Sequence, residues 1–324
     1  MGCGLGRVLR VPHTVGEPRG RAGGPLAGAA RPDRARPDRG ARPGGGVVTA
    51  VFTAADGVRL AYDDRGSGVP MLCLAGLTRN MADFEPVVDG FAHRARVIRM
   101  DYRGRGASDW PGPATYTIAQ EAADVIALLD HLGLDRAVIL GTSRGGLIAM
   151  TLAAMARDRL AGVILNDIGP EIMPEGLAHI MDYLGKPTRF RSLAEAAEAF
   201  PALHAPAFRD VPDATWAAHA RRLFREDGGK LHLRYDARLR DAVAPAFAPD
   251  APVVDIWPVF DLFAGLPLGL IRGAGSNILS AETAEKMRRR RPDMVFAELD
   301  NRGHVPFLDE PEAVRVIEEV LAQL

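Results

Sequence analysis

A chain of 324 residues, 47% hydrophobic and 25% charged, has the material for one large core or two smaller ones. Its net charge of −1 divides unevenly: the first 46 residues hold nine Arg against three acids, +6, leaving −7 on the remainder and no basic patch for nucleic acid. Two cysteines, Cys3 and Cys73, suggest neither a disulfide framework nor a metal site, no run approaches the roughly 18 apolar residues of a membrane span, and the N-terminus has no secretory h-region or twin arginine.

The expectation is therefore a cytoplasmic protein without membrane or nucleic-acid partners. In chain order, residues 1–46 come first, with twelve Gly, six Pro, nine Arg and the near-duplication RPDRARPDRG. Such a segment cannot bury enough apolar surface to offset its ordering entropy, so a disordered tail is expected. Val47 and Val48 follow the glycine run directly, and because GTG can encode an initiating residue a start near this point is the alternative.

From Val47 onward strand and helix signals alternate, the pattern of a mostly parallel eight-stranded sheet with helices on both faces. Val47–Thr53 and Val58–Asp63 read as a hairpin joined through Ala55-Asp56-Gly57. Short apolar runs of buried-strand type follow at Met71–Ala75, Val97–Asp101, Ala137–Leu140, Val163–Asn166, Leu268–Ile271 and Met294–Leu299. The best helical pattern is Thr117–Leu132, with Thr117 as N-cap and Gly133 as terminator.

At 136–148, RAVILGTSRGGLI, a strand-like run breaks at Gly141-Thr142-Ser143-Arg144-Gly145 and passes into a helical pattern. A turn that lifts a serine hydroxyl above a sheet leaves no room for side chains two residues to either side, and Gly141 and Gly145 meet that need. Ser143 is thus a candidate nucleophile, and the backbone N–H of Arg144, the next residue, a candidate oxyanion donor. The alternation stops after Asp167 and resumes near Asp255. Residues 170–250 between them contain amphipathic pieces interrupted by Pro201, Pro206, Pro212 and Gly228-Gly229, and read as a helical cap inserted between two parts of a core, 47–169 and 251–324.

Six segments in order, LAGLTRN at 74–80, DYRGRGASDW at 101–110, GTSRGG at 141–146, NDIGPEI at 166–172, IRGAGSNILS at 271–280 and NRGHVPF at 301–307, resemble the single-cap serine hydrolases of the α/β-hydrolase superfamily. The resemblance spans about 50–323. It implies that His304, alone among eight histidines in a loop between the last strand and a C-terminal helix, is the catalytic base, and that Leu77 supplies the second oxyanion N–H. The family's usual acid position is occupied here by Asn277. An amide orients an imidazole but cannot stabilise imidazolium by charge. By resemblance Asp167, where some relatives place their acid, is the best substitute. Asp101 and Arg103 are read as loop-fixing residues, and Trp110, Trp257 and Phe260 either line an acyl pocket or pack.

The resulting expectation is a hydrolase needing no cofactor or metal, acting on a small-molecule substrate. That substrate is expected to be a small, mostly apolar ester, lactone or related carbonyl compound, cleaved through an acyl-enzyme. The alternatives are a ligand-binding or weakly active descendant, or an acyltransferase. Oligomeric state is not legible.

Overall fold

The computed structural model describes residues 49–247 and 254–324, so the arginine-rich segment 1–46 lies outside the described residues, as do Val47 and Val48. Among the described residues ten strands occur in chain order: β1 (Ala50–Thr53), β2 (Arg59–Gly66), β3 (Val69–Leu74), β4 (Ala95–Met100), β5 (Ala137–Thr142), β6 (Leu160–Asn166), β7 (Phe224–Asp227), β8 (Lys230–Leu233), β9 (Leu268–Gly273) and β10 (Val295–Leu299). Eight of them form one sheet in the order β1-β2-β4-β3-β5-β6-β9-β10. The pairings β1–β2 and β2–β4 are antiparallel, and those from β4 through to β10 are parallel.

The apolar runs become central strands because both of their faces are covered: β5 is buried at all six positions, and β3 at its last four. Cys73 of β3 lies in this core, where burial pushes its thiol well up and leaves it unreactive. The helix Ile118–His131 starts at Thr117, whose hydroxyl accepts from the Gln120 N–H at 3.1 Å, and ends before Gly133, at φ 63°. Helix Arg144–Ala156 packs on β5 and β6, and Pro311–Leu321 on β9 and β10.

Between β6 and β9 none of the described residues joins the large sheet. It forms helices Pro174–Tyr183, Leu193–His204 and Asp213–Leu223, but the remainder departs from the all-helical expectation, because β7 and β8 pair as an antiparallel hairpin. The reason is Gly228-Gly229, with φ of 58° and 71°: two consecutive left-handed residues make the tight turn whose twist matches a hairpin. Leu193–His204 and Asp213–Leu223 pack together around Phe200, Trp216 and Ala220, in a small hydrophobic cluster that also takes in Phe224 and Phe307.

Candidate active site

The carboxyl ends of the parallel strands carry every segment singled out above: Leu77 follows β3, Ser143 follows β5, Asp167 follows β6, Ser276 and Asn277 follow β9, and His304 follows β10. Loops there converge at one edge of the sheet, where α/β folds place ligands.

Ser143 sits between β5 and its helix with φ 50° and ψ −115°, a conformation that costs a non-glycine residue roughly 1–3 kcal/mol and persists only when the surroundings over-determine it. They do so here. A Cβ on Gly145 would lie 2.0 Å from the Leu74 carbonyl oxygen, and one on Gly141 2.5 Å from the Gly145 carbonyl carbon. Strand and helix therefore meet at distances only glycine allows, and the Ser143 N–H is held by the Asn166 carbonyl at 3.0 Å.

The Ser143 hydroxyl lies 2.9 Å from His304 Nε2, and His304 Nδ1 lies 2.7 Å from Asp167 Oδ2. Asp167 is fully buried, with φ 57°. Its Oδ1 accepts the Gly273 N–H at 2.9 Å and its Oδ2 accepts the Ser276 hydroxyl at 2.6 Å, so two donors besides the imidazole hold the carboxylate. Ser276 Oγ in turn accepts the N–H groups of Ile278 and Leu279 at 3.1 and 3.0 Å. Its hydroxyl thus turns the segment after β9 toward Asp167, a role not read from the sequence; the Ser-Asn order at 276–277 was its only local signal. Asn277 makes no side-chain hydrogen bond to His304 among the described residues. Its carbonyl instead backs onto the helix Pro174–Tyr183, where a Cβ on Gly176 would come within 2.2 Å.

The loop after β3 abuts the elbow: a methyl at Gly76 would be 3.8 Å from Ser143 Cβ. Both carbonyls around the Gly76–Leu77 unit are held, that of Ala75 by the Tyr102 hydroxyl at 3.2 Å and that of Leu77 by Arg105 Nε at 3.0 Å. Arg105 Nη1 and Arg144 Nε both donate to the buried Glu121 carboxylate, at 2.8 and 2.6 Å. One carboxylate therefore ties together the loop of Leu77 and the residue after Ser143. Asp101 accepts the N–H groups of Met81 and Ala107, and Arg103 pairs with Asp124, both as loop-fixing residues.

Of the two readings of Phe260, Trp257 and Trp110, packing describes Phe260 and Trp257. Phe260 is buried in the main core beside Phe263, the Trp257 indole donates to Glu171 Oε1 at 2.9 Å, and Trp110 is exposed. Phe200, Phe208 and Trp216 from the inserted segment cluster instead with Phe307, three residues after His304. Phe208 would meet a Cβ on Gly303 at 2.9 Å, which places it against the histidine loop. Among the described residues no cluster of His, Cys, Asp and Glu is arranged to hold a metal ion, and no helix is long and apolar enough to cross a membrane.

The sequence model of the alpha/beta hydrolase fold matches residues 69–311. The chain is 31% identical over 270 residues to a 3-hydroxybutyrate-oligomer hydrolase of Cupriavidus necator, covering 80% of this chain and 91% of that protein. It is 29% identical to a 2-(acetamidomethylene)succinate hydrolase of Mesorhizobium japonicum, over 76% of this chain and 85% of that one. A crystal structure of an alpha/beta hydrolase from Novosphingobium aromaticivorans superposes with a TM-score of 0.78 at 40% identity, over 85% of this chain and 98% of the other.

Proposed function

This chain belongs to the alpha/beta hydrolase fold family and is a hydrolase, and from that premise we propose that it cleaves a small ester, lactone or related carbonyl compound through an acyl-enzyme on Ser143. The observation carrying this reading is the unbroken chain from Ser143 Oγ through His304 to the Asp167 carboxylate, at 2.9 and 2.7 Å.

In the proposed reaction Nδ1–H of His304 donates to Asp167, which leaves Nε2 free to accept the Ser143 proton as Oγ attacks the substrate carbonyl. The buried carboxylate stabilises the imidazolium that forms. The new oxyanion is received by the N–H groups of Leu77 and Arg144. His304 then returns the proton to the leaving oxygen, and a water activated by the same imidazole hydrolyses the acyl-enzyme. Segment 170–250 acts as the cap, with its aromatic cluster supplying the apolar wall for the substrate. The relatives named above support a small carbonyl compound as substrate, since their names describe hydrolases of a 3-hydroxybutyrate oligomer and of 2-(acetamidomethylene)succinate.

The test is Ser143→Ala. Losing the nucleophile is expected to remove labelling by a fluorophosphonate probe and to lower kcat on p-nitrophenyl esters by about 10⁴-fold or more, with the far-UV spectrum and melting temperature retained. Retention of more than about a hundredth of the wild-type turnover would show that another nucleophile operates.

A further inference from the structure

We propose that Arg79, on the loop carrying the oxyanion donor, is the anchor for a carboxylate on the substrate, so that this hydrolase takes esters bearing a free carboxylate a short carbon chain away from the scissile carbonyl. The inference rests on the reading of Ser143 as nucleophile and adds the substrate's charge to it.

The first support is position. A methyl at Gly76 would lie 3.2 Å from Arg79 Cγ and 3.8 Å from Ser143 Cβ, so the Arg79 stem passes within about 7 Å of the nucleophile's Cβ. The second is the state of the guanidinium. Only 16% of the side chain is accessible. Nε and Nη2 form a two-pronged pair with Asp83 at 2.6 Å each, and Nη2 also approaches His219 Nδ1 at 3.4 Å. Nη1 has no hydrogen-bond partner among the described residues, although a guanidinium offers five N–H donors in a planar fork suited to carboxylates.

The third support is what faces Arg79 from the inserted segment. His219 lies directly against Arg79 and His204 packs on His219, their rings 5.9 Å apart; the Arg79 charge also acts on Tyr183, His179 acts on His204, and Arg222 acts on His219. Burial first, and then the Arg79 cation, push His204 down to about 4 and His219 well below the ordinary histidine range, so both are neutral at pH 7. Arg222 reaches Glu85 only at 3.5 Å, and its Nε is buried without a partner. Two guanidiniums thus border a nest of neutral imidazoles, with Asp83 and Glu85 as the carboxylates that touch them. A part-buried cation with an unused donor edge, on a stem that passes within about 7 Å of the nucleophile's Cβ, is a poor surface for a fully apolar substrate, because the donor would lose its water unpaired. A carboxylate supplies the missing acceptors, while the aromatic cluster receives the rest of the molecule.

The experiment compares the p-nitrophenyl monoester of glutaric acid with its uncharged isostere, in which an isopropyl group replaces the carboxylate. The wild-type protein is expected to prefer the charged ester by about tenfold or more in kcat/KM, the scale of one hydrogen-bonded charge pair. Arg79→Gln removes that preference mainly through KM, and Arg79→Lys keeps part of it. Equal kcat/KM for the two esters in the wild type, or an equal loss on both in Arg79→Gln, would overturn the proposal. A second arm is independent of turnover: glutarate binding to the Ser143→Ala protein, followed by calorimetry, is expected to weaken about tenfold when Arg79→Gln is added. Arg79-dependent glutarate binding with neither ester cleaved would leave the anchor standing and refute the proposed ester cleavage through Ser143. Cleavage of both esters without charge preference or glutarate binding would do the reverse.

Discussion

Asp167 combines a left-handed backbone, complete burial and three hydrogen-bond donors, one of them His304, on its two carboxylate oxygens. Such a residue is held for its carboxylate, since packing alone would not maintain a strained, buried charge. Asp167→Asn is therefore expected to lower kcat by about 10⁴-fold, because the amide favours the wrong imidazole tautomer and cannot stabilise imidazolium. Asn277→Asp is expected to change kcat little, since the Asn277 side chain does not reach the imidazole. Steady-state kinetics of both variants on one ester decide this: a large gain from Asn277→Asp with Asp167→Asn neutral would reverse the assignment. Ser276→Ala removes only a neutral donor to Asp167, and its loss in kcat is expected to be smaller than that of Asp167→Asn.

Among the elements, the decisive junction is the one built on Glu121. The helix Ile118–His131 delivers this carboxylate, without solvent access, to Arg105 from the loop after β4 and to Arg144 from the elbow. Arg105 continues the link to the Leu77 carbonyl, while its Nη2 is buried without a partner. Removing the one carboxylate strands two guanidiniums in the interior, which typically costs about 3–5 kcal/mol. Glu121→Ala is expected to show that loss in urea denaturation, and to lose kcat as well because the two proposed oxyanion donors are no longer tied together. Glu121→Gln, which keeps the acceptor oxygen but not the charge, is expected to fall between.

For the whole molecule, the neutral histidines of the inserted segment couple stability to pH. An imidazole in the unfolded chain takes up its proton near pH 6.5, whereas folded His204 does so only at about 4. Between those values the unfolded state binds more protons, so stability falls as pH drops from about 6.5 to about 4 and is flat with respect to this group above that window. His219 acts in the same direction, and Arg79 and Arg222 reinforce it. His204→Phe keeps an aromatic ring against Trp216, on which His204 stacks at 5.2 Å, and is expected to reduce the loss of the urea midpoint between about pH 7.5 and 4.5. An unchanged pH slope would show that the imidazole remains solvated in the folded protein.

Local rules made much of this protein legible in its sequence. The eight strands of the main sheet follow from the spacing of apolar residues between turn signals. The elbow follows from two glycines flanking a serine where strand gives way to helix, because the close contact they permit is between residues adjacent in the chain. The hairpin of β7 and β8 was open to the same reading through Gly228-Gly229, yet the surrounding helical pieces masked it. What only the tertiary structure decided is which side chains meet. The donors to the Asp167 carboxylate lie 106, 109 and 137 residues away, and reach it because β6, β9 and β10 are successive neighbours in the sheet. Arg79 meets His219 across 140 residues, and only that meeting brings a part-buried cation against the histidines of the inserted segment. Sequence pattern reports periodicity and local backbone need; strand order and the fold of the insertion determine long-range electrostatics, to which periodicity is blind.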